Sequence, residues 1–200
     1  MTGIQALERK APTKLAKPGL LERREFEYIR HGTLTLIANF DVVSGRLSGV
    51  SLGPQRTELD FVKHIEGRIA TDPAGEWVFV VDQLDIHQSA SLVESVTRLC
   101  KLEAELGVKG KSGVLQSKGS RKAFLEEKSQ RIRFVYRPKH SSWLNQIEIW
   151  FSILVRRLLK RGNFRSLEDL REQILAFIEY FNTLMAKPFK WTYRGKPLQV

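Results

Sequence analysis

A single cysteine, Cys100, stands among the 200 residues of this chain. One thiol can form neither an intrachain disulfide nor a multi-cysteine zinc site, so the fold has to be held by packing. It falls in a helical pattern with Val93, Val96 and Leu99, as a small buried residue would. Long apolar runs are missing as well. No stretch approaches the about 20 uncharged residues that a membrane helix requires, and the amino end, rich in Lys, Arg and Pro, has no signal-peptide pattern. The expectation is a soluble, cytoplasmic and nucleoid-associated protein with no membrane partner. Acid is short relative to base: 22 Asp plus Glu against 33 Lys plus Arg leave a formal net charge of +11. That imbalance argues against a basic partner and favours a polyanion, for which a phosphate backbone is the natural counter-charge. Internal repeats and low-complexity tracts are absent too, which excludes solenoids.

What remains is enough for one core, since 42% of the residues are hydrophobic and a chain of this length can bury a sizeable interior. Residues 1–24 show no sustained period and read as an extended or loop-like segment. The runs 33–40 and 47–52 predict an antiparallel hairpin with Gly45 in its turn. Leu59, Val62, Ile65 and Ile69 mark an amphipathic helix. Trp77 to Val81, apolar and mostly β-branched, reads as a buried central strand. A helix is predicted from Ser89 to Leu106, with Gly107 as its stop and Asp82 or Asp85 as candidate caps. A basic insert, 107–130, carries a short helical pattern near Arg121. Arg131 to Tyr136 then alternates as a strand, a helix runs from Trp143 to Lys160, and Ser166 opens a last helix within 164–186.

Two acids stand out against this scaffold. Asp82 ends the buried strand, where open α/β sheets place their chemistry, although an aspartate there is as often a turn former or cap. Glu148 sits on the 143–160 helix, in a polar stripe with Asn145 and Ser152 beside an apolar one of Leu144, Ile147, Phe151 and Leu154. Taken alone, it reads first as an acid on the wet face of an amphipathic helix. Between the two acids lies a one-signed run containing Lys109, Lys111, Lys118, Arg121, Lys122, Lys128, Arg131, Arg133, Arg137 and Lys139, against Glu126 and Glu127. Threaded with Gly and Ser, it fits a nucleic-acid track better than a merely solvated face.

A hairpin, a helix, a strand ending in Asp and a later helix bearing Glu follow the order of a ribonuclease-H-like fold, an α/β mixed sheet flanked by helices. The residues also carry a resemblance. Thr2-Gly3-Ile4-Gln5-Ala6-Leu7-Glu8-Arg9, Glu27-Tyr28 followed by Arg30-His31-Gly32-Thr33, Asp82 with Leu84 and His87, and the block from His140 to Phe151 resemble the catalytic domain of bacterial insertion-sequence transposases of the mariner-related group, in the DDE superfamily. The resemblance spans essentially the whole chain as one domain, 1–200. It implies metal-assisted cleavage and transfer of DNA strands, with two Mg²⁺ or Mn²⁺ ions held by three carboxylates and a homo-oligomer joining two DNA ends.

By this resemblance Asp82 matches the second carboxylate and Glu148 the third, both metal ligands and catalytic. His87 matches a histidine that touches DNA or orients a ligand, with a structural role as the alternative. His140, Ser141, Ser142 and Asn145 match the block before the Glu and are candidates for contacts to phosphate or to the groups that support the ligands, alongside Lys109, Lys111, Lys118, Arg121, Lys122 and Lys139 of the basic run as DNA contacts. Trp143 and Trp150 are candidates for base stacking or for core. The family's first Asp, on a strand that precedes Thr2, has no counterpart, nor has its upstream helix-turn-helix. The expectation is therefore an amino-terminally truncated copy lacking its first strand. Asp41 reads as a turn former and not as a substitute. Three readings stay open: a transposase domain, an inactive DNA-binding remnant, and a ribonuclease of the same fold.

Overall fold

The computed structural model describes residues 3–138, 145–188 and 190. Alternating burial of Ile4 and Ala6 makes a strand of the first residues, and the chain builds an antiparallel sheet in the order β1 (Ile4–Arg9), β2 (Tyr28–Asp41), β3 (Arg46–Gly53). The hairpin predicted around Gly45 is present, with that glycine at φ 70°, in the region where a side chain would be strained. Asp41 forms the turn: its carboxylate accepts the Val43 N–H at 2.9 Å and the Ser44 hydroxyl at 2.7 Å. Burial pushes its pKa up, but these bonds and the charge of Arg68 outweigh it and hold the group below the ordinary carboxylate value. The amino-terminal segment departs from the loop expected of it. It enters the sheet as β1 and continues outward as a hairpin arm.

The second unit is parallel. α1 (Glu58–Ile69) starts at a Thr57 capping box closed by Asp60, which satisfies orphan backbone donors at both positions. β4 (Trp77–Val81) pairs in parallel with β5 (Ile132–Tyr136), and α2 (Ala90–Cys100) and α3 (Lys118–Leu125) lie in the crossover between them. Phe61, Ile65, Leu92, Val96, Leu125, Ile132 and Phe134 form its core. Trp77 stacks on Phe79 at 5.9 Å and Phe79 on Phe134 at 5.3 Å. β4 is not the fully buried strand predicted. Its alternate residues Val78 and Val80 are 49% and 58% exposed, because helices cover only the face bearing Trp77, Phe79 and Val81. α2 is also shorter than its apolar pattern suggests. Lys101 turns left-handed at φ 53° and ends the helix, and Leu106 is held from Leu115 by a 2.9 Å backbone bond instead of a further helical turn. Ser89, and neither Asp82 nor Asp85, caps α2 through its bond from the Leu92 N–H. Cys100 is half-buried.

α4 (Gln146–Leu154) runs into a π-helical turn at Val155–Leu159, and α5 (Leu167–Tyr180), capped by Ser166, into another at Phe181–Met185. Their apolar faces meet the three-stranded sheet in a separate core of Ile4, Leu34, Leu36, Leu47, Trp150, Leu154, Leu170, Ile174 and Phe181. The architecture is thus mixed α/β with sheets flanked by helices, as expected. The difference is that antiparallel and parallel strands form two sheets, with no ladder joining β2 to β4 among the described residues. No helix of the described residues is long and apolar enough to cross a membrane.

His64, on α1, is 6% exposed, and its Nδ1 lies 2.9 Å from the Ser51 hydroxyl on β3. Burial lowers its pKa from 6.5 to about 4. The unfolded chain therefore binds a proton below pH 6.5 that the fold refuses, so the resulting stability is complete above that pH and fades as pH falls toward 4. The loss by pH 4 is about 3 kcal/mol. Urea midpoints at pH 7 and pH 4.5 should show it, and His64→Phe should shrink the difference. An equal pH dependence in that variant would locate the acid sensitivity elsewhere.

Candidate active site

Asp82 follows β4 directly, at the carboxyl end of the parallel pair. His87, in a short 3-10 turn (Asp85–Gln88), brings Nδ1 to 2.7 Å from Asp82 Oδ1 and 3.2 Å from the Asp82 backbone oxygen. Both neighbours are acceptors, so Nδ1 carries the proton and donates. The ring is held from behind by Phe61, at a centroid distance of 4.4 Å. Its backbone oxygen accepts the Tyr136 hydroxyl at 2.6 Å. Burial pushes the Asp82 carboxyl up, but the hydrogen bond and charge of His87, the Leu84 N–H and the Arg137 charge together hold it below the ordinary value. Asp82 is therefore ionised at neutral pH. His87 is tied to it by this contact.

Parallel register extends this arrangement. Val81 lies opposite Tyr136, so the residues that follow, Asp82 and Arg137, leave the two strands side by side, and the Arg137 N–H donates to Val81 O at 3.1 Å. The Gln83 side chain donates to Arg137 O at 2.9 Å. From this anchored backbone Arg137 Nη2 reaches Glu148 Oε1 at 3.2 Å. Glu148 stands in the first turn of α4, where the helix dipole favours an anion. Arg137 thus bonds Glu148 while its charge also acts on Asp82, two acids far apart in sequence and carried on different cores. Arg137 Nε is buried with no hydrogen-bond partner among the described residues.

A family model described as DDE superfamily endonuclease matches residues 2–171. The chain belongs to this family. No curated protein and no solved structure matches it.

The DDE endonuclease fold distributes the remaining candidate residues unevenly. Lys109 and Lys111 are exposed in the loop after α2. Lys118 is exposed but paired with Asp85 at 2.6 Å. Lys122 lies 3.9 Å from Glu126 and stands over the Tyr136 ring at 5.5 Å. Arg121 must be removed from the predicted track: it is 8% exposed, and its Nε and Nη1 donate to Gln88 O and Leu115 O at 2.7 and 3.0 Å. Its sequence neighbours are basic, but its helical phase turns it inward, where it ties the loop before α2 to the turn before α3. Arg121→Gln should therefore cost on the order of 2 kcal/mol of stability, as carbonyls bonded to a charged donor lose it. Salt-dependent DNA affinity of the folded fraction should stay unchanged. A loss of affinity with no loss of stability would return Arg121 to the DNA surface.

Asn145 precedes α4 as its N-cap, with no capping bond from its side chain, and its backbone oxygen accepts the Glu148 N–H at 2.9 Å. Trp150 is core and not a stacking platform. Lys139, His140, Ser141, Ser142 and Trp143 lie outside the described residues. Sequence reasoning counted Arg137 only as one more cation of the basic run. The signal available was positional: two strand-like runs, each followed at once by an opposite charge, Val81-Asp82 and Tyr136-Arg137, which a parallel pair places together.

Proposed function

We propose that residues 1–200 act as the catalytic domain of a transposase of the mariner-related insertion-sequence group, cutting and joining DNA at element ends and target as a homo-oligomer. Asp82 and Glu148 serve in it as two of the carboxylates. The observation that carries this reading is that Arg137 leaves its strand beside Asp82, acts on that acid through its charge and bonds Glu148, at a strand end and a helix start of a DDE endonuclease chain of net charge +11. Two hard carboxylates suit Mg²⁺ or Mn²⁺, ions that stabilise the entering and leaving oxygens of phosphoryl transfer. The described side chains do not complete such a site. Among them no group of three or more His, Cys, Asp or Glu could hold a metal, and the charge at the pair is a guanidinium. What the residues do themselves is electrostatic: His87 orients an ionised Asp82, and Arg137, whose charge acts on Asp82, is bonded to Glu148 at a position where a phosphate could replace that carboxylate.

The incomplete ligand set also supports a second reading, a remnant that binds DNA without cutting it. Supercoiled plasmid incubated with the protein and Mn²⁺ or Mg²⁺, beside duplex binding over a range of salt, separates the readings. Metal-dependent nicking supports the transposase, and binding without nicking in either metal supports the remnant. Preference for an RNA–DNA hybrid would make it a ribonuclease, and absence of any binding would sink all three. Arg137→Ala should strengthen Mn²⁺ binding in calorimetry, since a competing cation has gone, and unchanged or weaker binding would show that the guanidinium does not compete.

A further inference from the structure

The ribbon formed by β1 and β2 does not end at the sheet. The Lys10 N–H donates to Glu27 O at 3.2 Å, Lys14 and Arg23 exchange backbone bonds of 2.9 and 3.0 Å, and Lys17 and Leu20 exchange bonds of 3.0 and 2.8 Å. These pairs continue the register of Arg9 opposite Tyr28. Residues 10–27 are therefore a two-stranded arm, closed by Pro18-Gly19 with Gly19 at φ 79°, the conformation a type II turn requires at its third residue. Leu15, Leu20, Leu21 and Phe26 are all exposed on it, so the arm is not folded back on either core. At about 3.3 Å per residue it reaches roughly 25–30 Å from the sheet.

Its charges do not balance locally. Glu22 pairs with Arg24, and Glu27 pairs with Lys10 at 2.7 Å. The Glu25 carboxylate accepts the N–H groups of Phe26 and Glu27 at 2.8 and 3.1 Å. Every acid of the arm is engaged. Lys14, Lys17 and Arg23 have no ion-pair partner among the described residues. Lys14 and Arg23 are moreover directly opposite each other across the ribbon, an arrangement in which like charges destabilise a strand pair. An external anion relieves that repulsion.

We propose that the arm is a DNA-contacting element separate from the lysines of the insert, with Lys14, Lys17 and Arg23 on backbone phosphates and the ribbon lying along a groove. A two-stranded β-ribbon fits the major groove of a duplex. A second copy of this chain is the less suitable occupant, because it brings the same net charge of +11 to the same cations. The proposal rests on the DNA reading above and adds a surface to it.

The test is anisotropy titration of a fluorescein-labelled duplex of about 30 base pairs between roughly 50 and 200 mM KCl, with the full chain and its K14Q/K17Q/R23Q variant. Loss of three phosphate contacts should flatten the slope of log K against log salt by about 2 to 3, and Arg23→Gln alone by about 1. The thermal midpoint of the triple variant should not fall, since a repulsive pair is removed. Wild-type affinity and slope in the variant would overturn the arm proposal and leave the DNA reading standing. No salt-dependent binding by the wild type would end both. DNA binding retained with a lowered sedimentation coefficient would make the arm a protein-docking element and overturn the DNA assignment.

Discussion

Asp82→Ala and Glu148→Ala should each lower metal-dependent nicking on the order of a hundredfold or more while duplex binding persists. Small misplacements of reacting groups cost that much in rate, whereas binding draws on cations elsewhere on the surface. Asp82 is fixed by His87 and the Leu84 N–H, so truncating it leaves the imidazole and that N–H without their acceptor. Among the described residues the Glu148 side chain is held by Arg137 alone, and it is the more exposed of the two acids, at 44% against 27%. The Asp82 variant should therefore lose stability as well as cleavage, and the Glu148 variant mainly cleavage. Nicking that survives either change would disprove the assignment of the pair. Nicking lost together with duplex binding would point to collapse of the fold, which circular dichroism would reveal.

Trp150→Ala should remove about 3 to 5 kcal/mol of folding stability, a large share of the roughly 5 to 15 kcal/mol that holds a domain together. Trp150 is 1% exposed and touches Phe151, Phe177 and Phe181 at centroid distances of 5.6, 6.4 and 6.1 Å. With Leu154 it is the buried part of α4 in the core shared with α5 and the three-stranded sheet. No neighbour can fill the void without leaving its own place. Urea denaturation would show the loss as a lowered midpoint. The exposed Val80→Thr should stay within about 0.5 kcal/mol. A cost below about 1 kcal/mol for Trp150→Ala would mean that α4 is not anchored as described. The consequence for the site is direct, because Glu148 lies half a turn from Trp150 on the same helix, and loosening α4 should weaken its bond to Arg137 before the chain unfolds.

Much of the fold could be read locally. The hairpin around Gly45, the Ser166 cap and the strand ending at Asp82 follow from short-range preferences that tertiary context left alone. Where the reading failed, an interaction beyond the local window was responsible. The pattern of Leu99, Leu102 and Leu106 suits a longer α2, but Lys101 turns the chain so that the Leu106 carbonyl can accept the Leu115 N–H. The apolar run of β4 suggested burial on both faces, yet α4 and α5 spend their apolar faces on the other sheet and leave Val78 and Val80 open. Arg121 looked like its basic neighbours until helical phase turned it inward.

The sequence by itself determined the class of the chain, its charge, the acids Asp82 and Glu148 as candidates and the order of the elements that carry them. These depend on composition, on period and on motif residues, all of which act within a few positions. Only the tertiary structure decided which cation neighbours the two acids. A parallel register of β4 and β5 sets Arg137 beside Asp82, and packing of α4 brings Glu148 to the same guanidinium. Likewise, only strand pairing turned the amino-terminal segment into an arm with Lys14 facing Arg23. Both are distances between residues remote in sequence, and no local preference specifies such a distance until the strands pair and the helices pack.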